Sequence, residues 1–446
     1  MSCIIRYDTR MKTLQKLRAG LLTGDTTLSL SDKLTTFPRE IFELEDTLEV
    51  LNLTNNQLDA LPDDFYRLKQ LRILFLSENN FEEVPAVLAK CEALTMIGFK
   101  ANKITSFGEN VLPLHTQWLI LTDNKIDKLP NSIGDLKQLQ KCMLAGNKIT
   151  SLPNSMQYCT NLELLRISAN EIEVLPTWLF SLPRLSWLAC AGNLCTINPV
   201  KNNETLAQIH WDRLTLHEEL GEGASGLISK GYWSCEASDV AVKVFKGEVT
   251  SDGYPEDEMK ACIAVGMHDN LTTVHGKLHA HPEEKEGIVL SLIPPRYVNL
   301  GNPPSFVTCT RDTYEEGTSF SFAQLMRIFL DVATSTEHLH QRGVVHGDLY
   351  AHNILIDEES HSLLSDFGAA TIYGHMNNID EGAFERLEVR AFGCLMEDLL
   401  GYCDNEDLKH SEKIVAVKTL QDACMHETVQ HRPLFSEIID KLRILN

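Results

Sequence analysis

Between residues 25 and 195 the apolar positions of this chain fall into one repeating register. Asn56, Asn79, Asn102, Asn124, Asn147, Asn170 and Asn193 recur every 23 residues, with one step of 22. Apolar residues stand five and three positions before each of them: Leu51 and Leu53, Leu74 and Leu76, Ile97 and Phe99, Leu119 and Leu121, Cys142 and Leu144, Leu165 and Ile167, Leu188 and Cys190. Leu61-Pro62, Val84-Pro85, Leu129-Pro130, Leu152-Pro153 and Leu175-Pro176 follow at a fixed offset. Each unit reads as a short strand, a turn and a return segment. Such a unit cannot bury its apolar face alone, and stacking the units buries one continuous core. The asparagine amides suit a ladder of bonds to the backbone of adjacent turns. Residues 25–47 form a degenerate first repeat with Leu28, Leu30, Phe37 and Ile41, and residues 11–22 read as an amphipathic capping helix within an N-terminal cap over 1–24.

After Asn193 the register stops. Residues 196–213, with Asn198-Pro199, form a connector without a Gly/Ser-rich run, so the two halves are expected to be closely coupled. Beyond it the periodicity changes. Val240-Ala241-Val242-Lys243 and Gly287 to Leu292 read as strands, and Phe322, Leu325, Ile328, Phe329, Val332 and Leu339 mark an amphipathic helix over 321–341.

The repeating half resembles the leucine-rich repeat family of the intracellular type. That resemblance implies an α/β solenoid over 25–195 whose concave face carries the strand residues between the leucines. Phe75, Trp118, Ile120, Met143, Arg166 and Trp187 are the candidate partner-binding residues there, because an apolar stripe on a concave repeat surface is a common partner site.

Composition narrows the partners. The 43% hydrophobic content is that of a globular protein with a core, and the formal net charge of −22 argues against nucleic acid or an anionic membrane as main partner. The 12 cysteines show neither Cys-x-x-Cys nor metal-ligand spacing, and they read as reduced, mostly buried thiols of a cytoplasmic protein. The N-terminal Arg6, Arg10, Lys12, Lys16 and Arg18 precede no signal-peptide core, and no stretch is apolar enough for a membrane span. His275, His279 and His281 lie in a Pro- and Glu-containing connection and read as a surface turn.

The chemistry sits in the second half. Gly221-Glu222-Gly223-Ala224-Ser225-Gly226, with Ile228 two positions on, is a glycine-rich loop whose backbone amides can approach phosphates. Lys243 follows on its strand, and Glu258 stands fifteen residues later. His346-Gly347-Asp348 leads to Asn353, and Asp366-Phe367-Gly368 follows. In this order the motifs of residues 214–446 resemble a protein kinase. The resemblance implies an α+β bilobal protein-kinase-like domain, with an N-lobe over 214–293 and a C-lobe over 294–446, following the solenoid.

It also implies roles. ATP would lie against Gly221, Gly223, Ala224, Ser225, Gly226, Ile228 and Ala241, with Lys243 on the α- and β-phosphates and Glu258 as its partner. Leu290, the gatekeeper, would lead with Ser291 and Leu292 into the segment that bonds adenine. Asp348 would accept or orient the substrate hydroxyl, and Asn353 and Asp366 would hold magnesium, or manganese in its place. Lys243, Asp348, Asn353 and Asp366 are thus the catalytic set.

Four departures bear on control. Gly347 stands where many family members have the arginine that pairs with a phosphorylated activation loop. Tyr350 and His352 occupy the places of the basic residues near the γ-phosphate, leaving serine/threonine and tyrosine specificity unseparated. The segment after Asp366 is short: the next helix is expected at Glu388, and Ala383-Phe384-Glu385 is a candidate for an altered Ala-Pro-Glu whose Glu385 would pair with Arg432. Glu388 itself replaces an aspartate. The reading these features give is an ATP- and magnesium-dependent protein kinase, serine/threonine placed first, whose repeats bind a substrate or regulator protein. A scaffold with an inert kinase-like half and a small-molecule kinase are the alternatives.

Overall fold

The computed structural model describes residues 13–196, 207–223, 225–247, 249–376, 379–380, 382–404 and 412–445. Residues 1–12 of the expected cap, Ala224 of the glycine-rich loop and 197–206 of the connector lie outside the described residues. The chain divides into two compact units, Met1–Leu139 with Pro153–Cys159, and Gln140–Leu152 with Thr160–Asn446.

The first unit opens with helix α1 (Thr13–Arg18), which buries Leu17. Five short parallel strands follow in sequence order: β1 (Thr27–Ser29), β2 (Val50–Asn52), β3 (Ile73–Phe75), β4 (Met96–Gly98) and β5 (Trp118–Ile120). The central residue of each strand is buried, so Leu28, Leu51, Leu74, Ile97 and Leu119 stack as one apolar column. Return segments are short 3-10 turns such as Arg39–Leu44 and Ala86–Lys90, each entered through a proline. The asparagines form the ladder. Asn79 Nδ2 donates to Leu53 O at 2.9 Å and Leu76 O at 3.1 Å, while its Oδ1 accepts from Leu58 N at 2.9 Å.

The second unit begins with three more repeat strands, β6 (Lys141–Met143), β7 (Leu164–Arg166) and β8 (Trp187–Ala189), parallel and in order. A six-stranded sheet then forms from β9 (Gln208–His210), β10 (Leu214–Glu222), β11 (Gly226–Trp233), β12 (Ser238–Phe245), β13 (Val274–His279) and β14 (Gly287–Ser291), in the order β10-β11-β12-β14-β13-β9. Strand β9 lies inside the stretch read as connector, yet it pairs in parallel with β13. Helix α2 (Pro255–Val265) connects β12 to β13 and carries its acidic residues in the first turn, where the helix dipole favours them.

The helical part follows. Helix α3 (Phe322–Gln341) starts at a capping box in which Ser321 and Gln324 satisfy each other's backbone amides. Strands β15 (Val298–Asn299), β17 (Ile354–Ile356) and β18 (Ser362–Leu364) form one small sheet, and β16 (Val344–Val345) and β19 (Thr371–Ile372) another. Helices α4 (Ala383–Gly401), α5 (Glu412–Cys424) and α6 (Phe435–Leu445) close the unit around Phe329, Leu339, Phe392, Leu420 and Phe435. Leu164 and Trp187 of the repeat strands belong to this same core.

Two expectations are corrected. Helix α4 starts at Ala383, so Ala383-Phe384-Glu385 is its first turn and not a separate motif ahead of it. Arg432 does not pair with Glu385. Its guanidinium donates to His426 O, Arg386 O and Pro183 O, and Glu385 instead accepts from Phe435 N at 2.7 Å, capping α6.

Candidate active site

Strand pairing builds one wall of a cleft. Antiparallel β11 sets Ile228 opposite Lys243, and β14 sets Leu290 opposite Ala241. Above them the turn from β10 to β11 carries the glycine-rich loop, closed by Gly223 N donating to Gly226 O at 2.9 Å. A Cβ at Gly221 or Gly223 would meet nothing within 4 Å, so these glycines leave room that the protein's own packing does not use. A cavity of about 570 Å³ lies here, lined by Gly221, Gly223, Ser225, Gly226, Ile228, Ala241, Lys243, Glu258, Leu290, Ser291, Leu292 and Asp366. Every described residue expected against ATP therefore borders one space, which lies in the size range of small-molecule sites.

Lys243 and Glu258 form a buried ion pair between β12 and α2. Burial works against the lysine charge, but Glu258 and then Asp366 outweigh it and raise the Lys243 pKa, so it stays cationic. Asp366 is exposed to the cavity in a left-handed backbone conformation, φ 57°. Its Oδ1 accepts from Gly368 N at 3.1 Å. Phe367 is buried with its ring 5.1 Å from that of His346, and His346 Nε2 bonds Ser365 O at 2.9 Å.

Asp348 and Asn353 are tied to that floor. Ser365 N and Oγ both donate to Asn353 O at 2.9 Å. Asn353 Nδ2 donates to Asp348 O and Asp348 Oδ2, both at 2.9 Å. Among the described residues nothing donates to the Asn353 amide oxygen, so it and the Asp366 carboxylate are the oxygens that could hold a hard divalent cation. Burial works to raise the Asp348 carboxyl, but Arg166 overrides it, with His352 and His346 assisting, and holds it below the usual aspartate range.

Glu388 of α4 supports the loop from behind. Its Oε1 accepts from Gly347 N at 2.8 Å and its Oε2 from His346 N at 3.3 Å, and His340 Nε2 lies 2.9 Å from Oε2. The longer side chain thus reaches the loop backbone from its helix.

The six concave repeat residues do not share one fate. Phe75, Trp118 and Ile120 are half-buried at their strand ends in the first unit. Met143, in the second unit, packs against the helical core. Arg166 and Trp187 were expected to face a separate partner and are instead buried against this chain's own catalytic loop. Arg166 bonds Gly347 O and Asp348, while the Trp187 ring stacks on Tyr350 at 4.3 Å and donates to Leu349 O at 3.1 Å. Sequence reasoning missed this occupant of the two strands. It also missed Asp252, which borders the cavity and pairs with Arg166 at 2.7 Å. A cation in a strand column that is otherwise mostly apolar was the available signal.

The fold and this cleft define a protein kinase domain preceded by leucine-rich repeats. The family described as protein tyrosine and serine/threonine kinase matches residues 214–392, and the leucine rich repeat family matches residues 27–81 and 46–104. The matches thus place a protein kinase domain in the second half of the chain and leucine-rich repeats ahead of it. Among curated proteins it is similar to a megakaryocyte-associated tyrosine-protein kinase of Rattus norvegicus, 28% identical over 54% of this chain and 56% of that one. It also resembles fibroblast growth factor receptor 1 of Pleurodeles waltl, 26% identical over 40% of this chain and 23% of the relative. A third is a "Probable serine/threonine-protein kinase gdt4" of Dictyostelium discoideum, 28% identical over 37% and 10%. The chain spans about half the length, or less, of the curated relatives it matches. Both hydroxyl classes appear in their names. Among the described residues no helix is long and apolar enough to cross a membrane.

Proposed function

We propose that this chain is an ATP- and magnesium-dependent protein kinase that phosphorylates protein hydroxyls, serine and threonine ahead of tyrosine. The observation that carries the reading is the convergence of Lys243, Glu258 and Asp366 on one cavity, with Asp348 and Asn353 bonded to its floor. ATP would seat its base near Leu290, Ser291 and Leu292 and its phosphates under Gly221, Gly223 and Ser225. Lys243 would hold the α- and β-phosphates, and Asn353 and Asp366 would hold magnesium, which neutralises phosphate charge when bound. Asp348 would orient the substrate hydroxyl and take its proton as the new oxygen–phosphorus bond forms. The bond from the γ-phosphorus to the β–γ bridging oxygen breaks, and ADP leaves.

The first-unit repeats, with Phe75, Trp118 and Ile120, would bind a substrate or regulator protein on their concave face. Support for this is a parallel strand array on which these three apolar side chains stay only half-buried, since repeat proteins commonly use such surfaces for partners.

The chain incubated with γ-labelled ATP and magnesium, then hydrolysed for phosphoamino acid analysis, tests the transfer and its hydroxyl class. Label in phosphoserine or phosphothreonine is expected. Label in phosphotyrosine alone would reverse the preference. Label confined to an added metabolite would replace the protein-kinase reading with a small-molecule one.

A further inference from the structure

Tyr350 and His352 stand where a basic catalytic-loop residue is expected, yet a guanidinium still reaches Asp348. It comes from Arg166, the last residue of β7. Its Nη1 donates to Gly347 O at 2.7 Å, its Nη2 bonds Asp348 Oδ1, and its Nε lies 2.7 Å from Asp252 Oδ1. One side chain, 3% exposed, thus joins the loop carrying Asp348 to the turn just ahead of α2, the helix carrying Glu258.

Both contact surfaces are shaped for this approach. Gly347 has φ +74°, and a Cβ there would lie 2.7 Å from Leu188 O of β8 and 2.7 Å from Ala369 O. An arginine at 347 has no room, because repeat backbone runs where its side chain would start. On the other side, a Cβ at Gly253 would lie 2.8 Å from Ser168 Cβ, immediately after β7. Thr250 N and Oγ1 both donate to Gly253 O, at 2.9 and 3.1 Å, so the turn that presents Asp252 is itself braced.

We propose that Arg166 is a positioning residue of the transfer site, supplied by the repeat strand in place of the catalytic-loop cation, fixing the Asp348 carboxylate and tying it to the turn that leads into the Glu258 helix. This rests on the kinase reading above. Asn353 holds one Asp348 oxygen and Arg166 the other, and the Asp348 side chain keeps 19% of its surface exposed. Two carboxylates around one guanidinium also explain why so buried a cation stays charged. Burial opposes its charge, and Asp348 and then Asp252 more than restore it.

The test uses the full chain with Arg166→Ala, Arg166→Lys and Asp252→Asn. Initial rates are measured against ATP concentration with a generic protein acceptor. For Arg166→Ala, kcat is expected to fall on the order of 100-fold, the cost of a misplaced catalytic group, with KM for ATP within about twofold, since Arg166 does not line the cavity. Arg166→Lys keeps the charge but cannot span both carboxylates, and it should recover part of the loss. Asp252→Asn should lower kcat less than Arg166→Ala does. If Arg166→Ala does not fold, the Lys and Asp252→Asn variants carry the comparison, and both at unaltered kcat would overturn the proposal. Equal or higher kcat in Arg166→Ala would overturn it too, and a rise would make the contact a brake. An unaltered chain that transfers no phosphate would overturn the kinase reading along with this one.

Discussion

At the scale of single residues, Gly347 and Glu388 show how a departure from a familiar motif can be structural. The sequence reads Gly347 as the loss of a receptor for a loop phosphate. The structure adds a cause: its left-handed φ and the carbonyls of Leu188 and Ala369 exclude any side chain. That cause lay beyond the sequence, because Leu188 is far away along the chain and its approach depends on docking two segments. Glu388 was recognisable by its place relative to Asp366, but not the two loop amides it accepts. Burial works to raise its carboxyl, and the His340 contact, with His346 and the Gly347 amide, brings it below the usual glutamate range. A depressed folded pKa contributes stability that is present above the unfolded value, about pH 4.3, and is lost as pH falls through the folded value. Glu388→Gln should therefore lower stability near neutral pH by about 1–3 kcal/mol, the cost of weakening hydrogen bonds to a buried charged acceptor, and flatten the decline as pH falls below the unfolded value. Denaturant unfolding over a pH series checks this, and an unchanged acid slope in the variant would contradict it.

At the scale of elements, the repeats were the most legible part of the chain. Their strands depend on a local apolar column, and their asparagines need only adjacent turns, so a fixed period announces both. In the second unit Asn170 Nδ2 donates to Leu144 O and Ile167 O, each at 3.0 Å, and its Oδ1 accepts from Ile149 N at 3.0 Å. Its Nδ2 also reaches Ser168 O at 3.1 Å, so Asn170→Ala would leave four buried backbone groups without that partner. The expected loss is about 1–3 kcal/mol, read as a lower unfolding midpoint in denaturant, whereas a shift indistinguishable from zero would mean that water or relaxation replaces the ladder. Less legible were elements set by non-local pairing. Strand β9 is three residues long and gains its identity from β13. The start of α4 was placed too late because Glu388 was the recognisable residue, while Ala383 and Phe384 carry no helix signal beyond ordinary propensity.

At the scale of the molecule, the order of motifs in the sequence was enough to foresee a kinase domain, since the glycine-rich loop, Lys243, Asp348, Asn353 and Asp366 keep a recognisable spacing. It was not enough to foresee that the last repeat strands and the kinase domain form one compact unit with a shared core. Leu164 and Trp187 look like any other repeat positions in the register, and only the folded structure joins them to the buried cluster that contains Phe329 and Phe392. Thr371, shortly after Asp366, is fully buried, and its Oγ1 accepts from Cys190 N at 3.1 Å. The last repeats thus touch the segment after Asp366 as well as the loop carrying Asp348.

The proposed function turns on phosphoryl transfer at Asp348 and Asp366. The most direct measurement is incorporation of labelled γ-phosphate into a generic protein acceptor, with and without magnesium, by the unaltered chain and by Asp366→Ala. Magnesium-dependent incorporation is expected, falling at least about 100-fold in the variant, since catalysis of this kind is largely positioning and charge stabilisation. Equal incorporation by both proteins, or none by the unaltered chain, would contradict it.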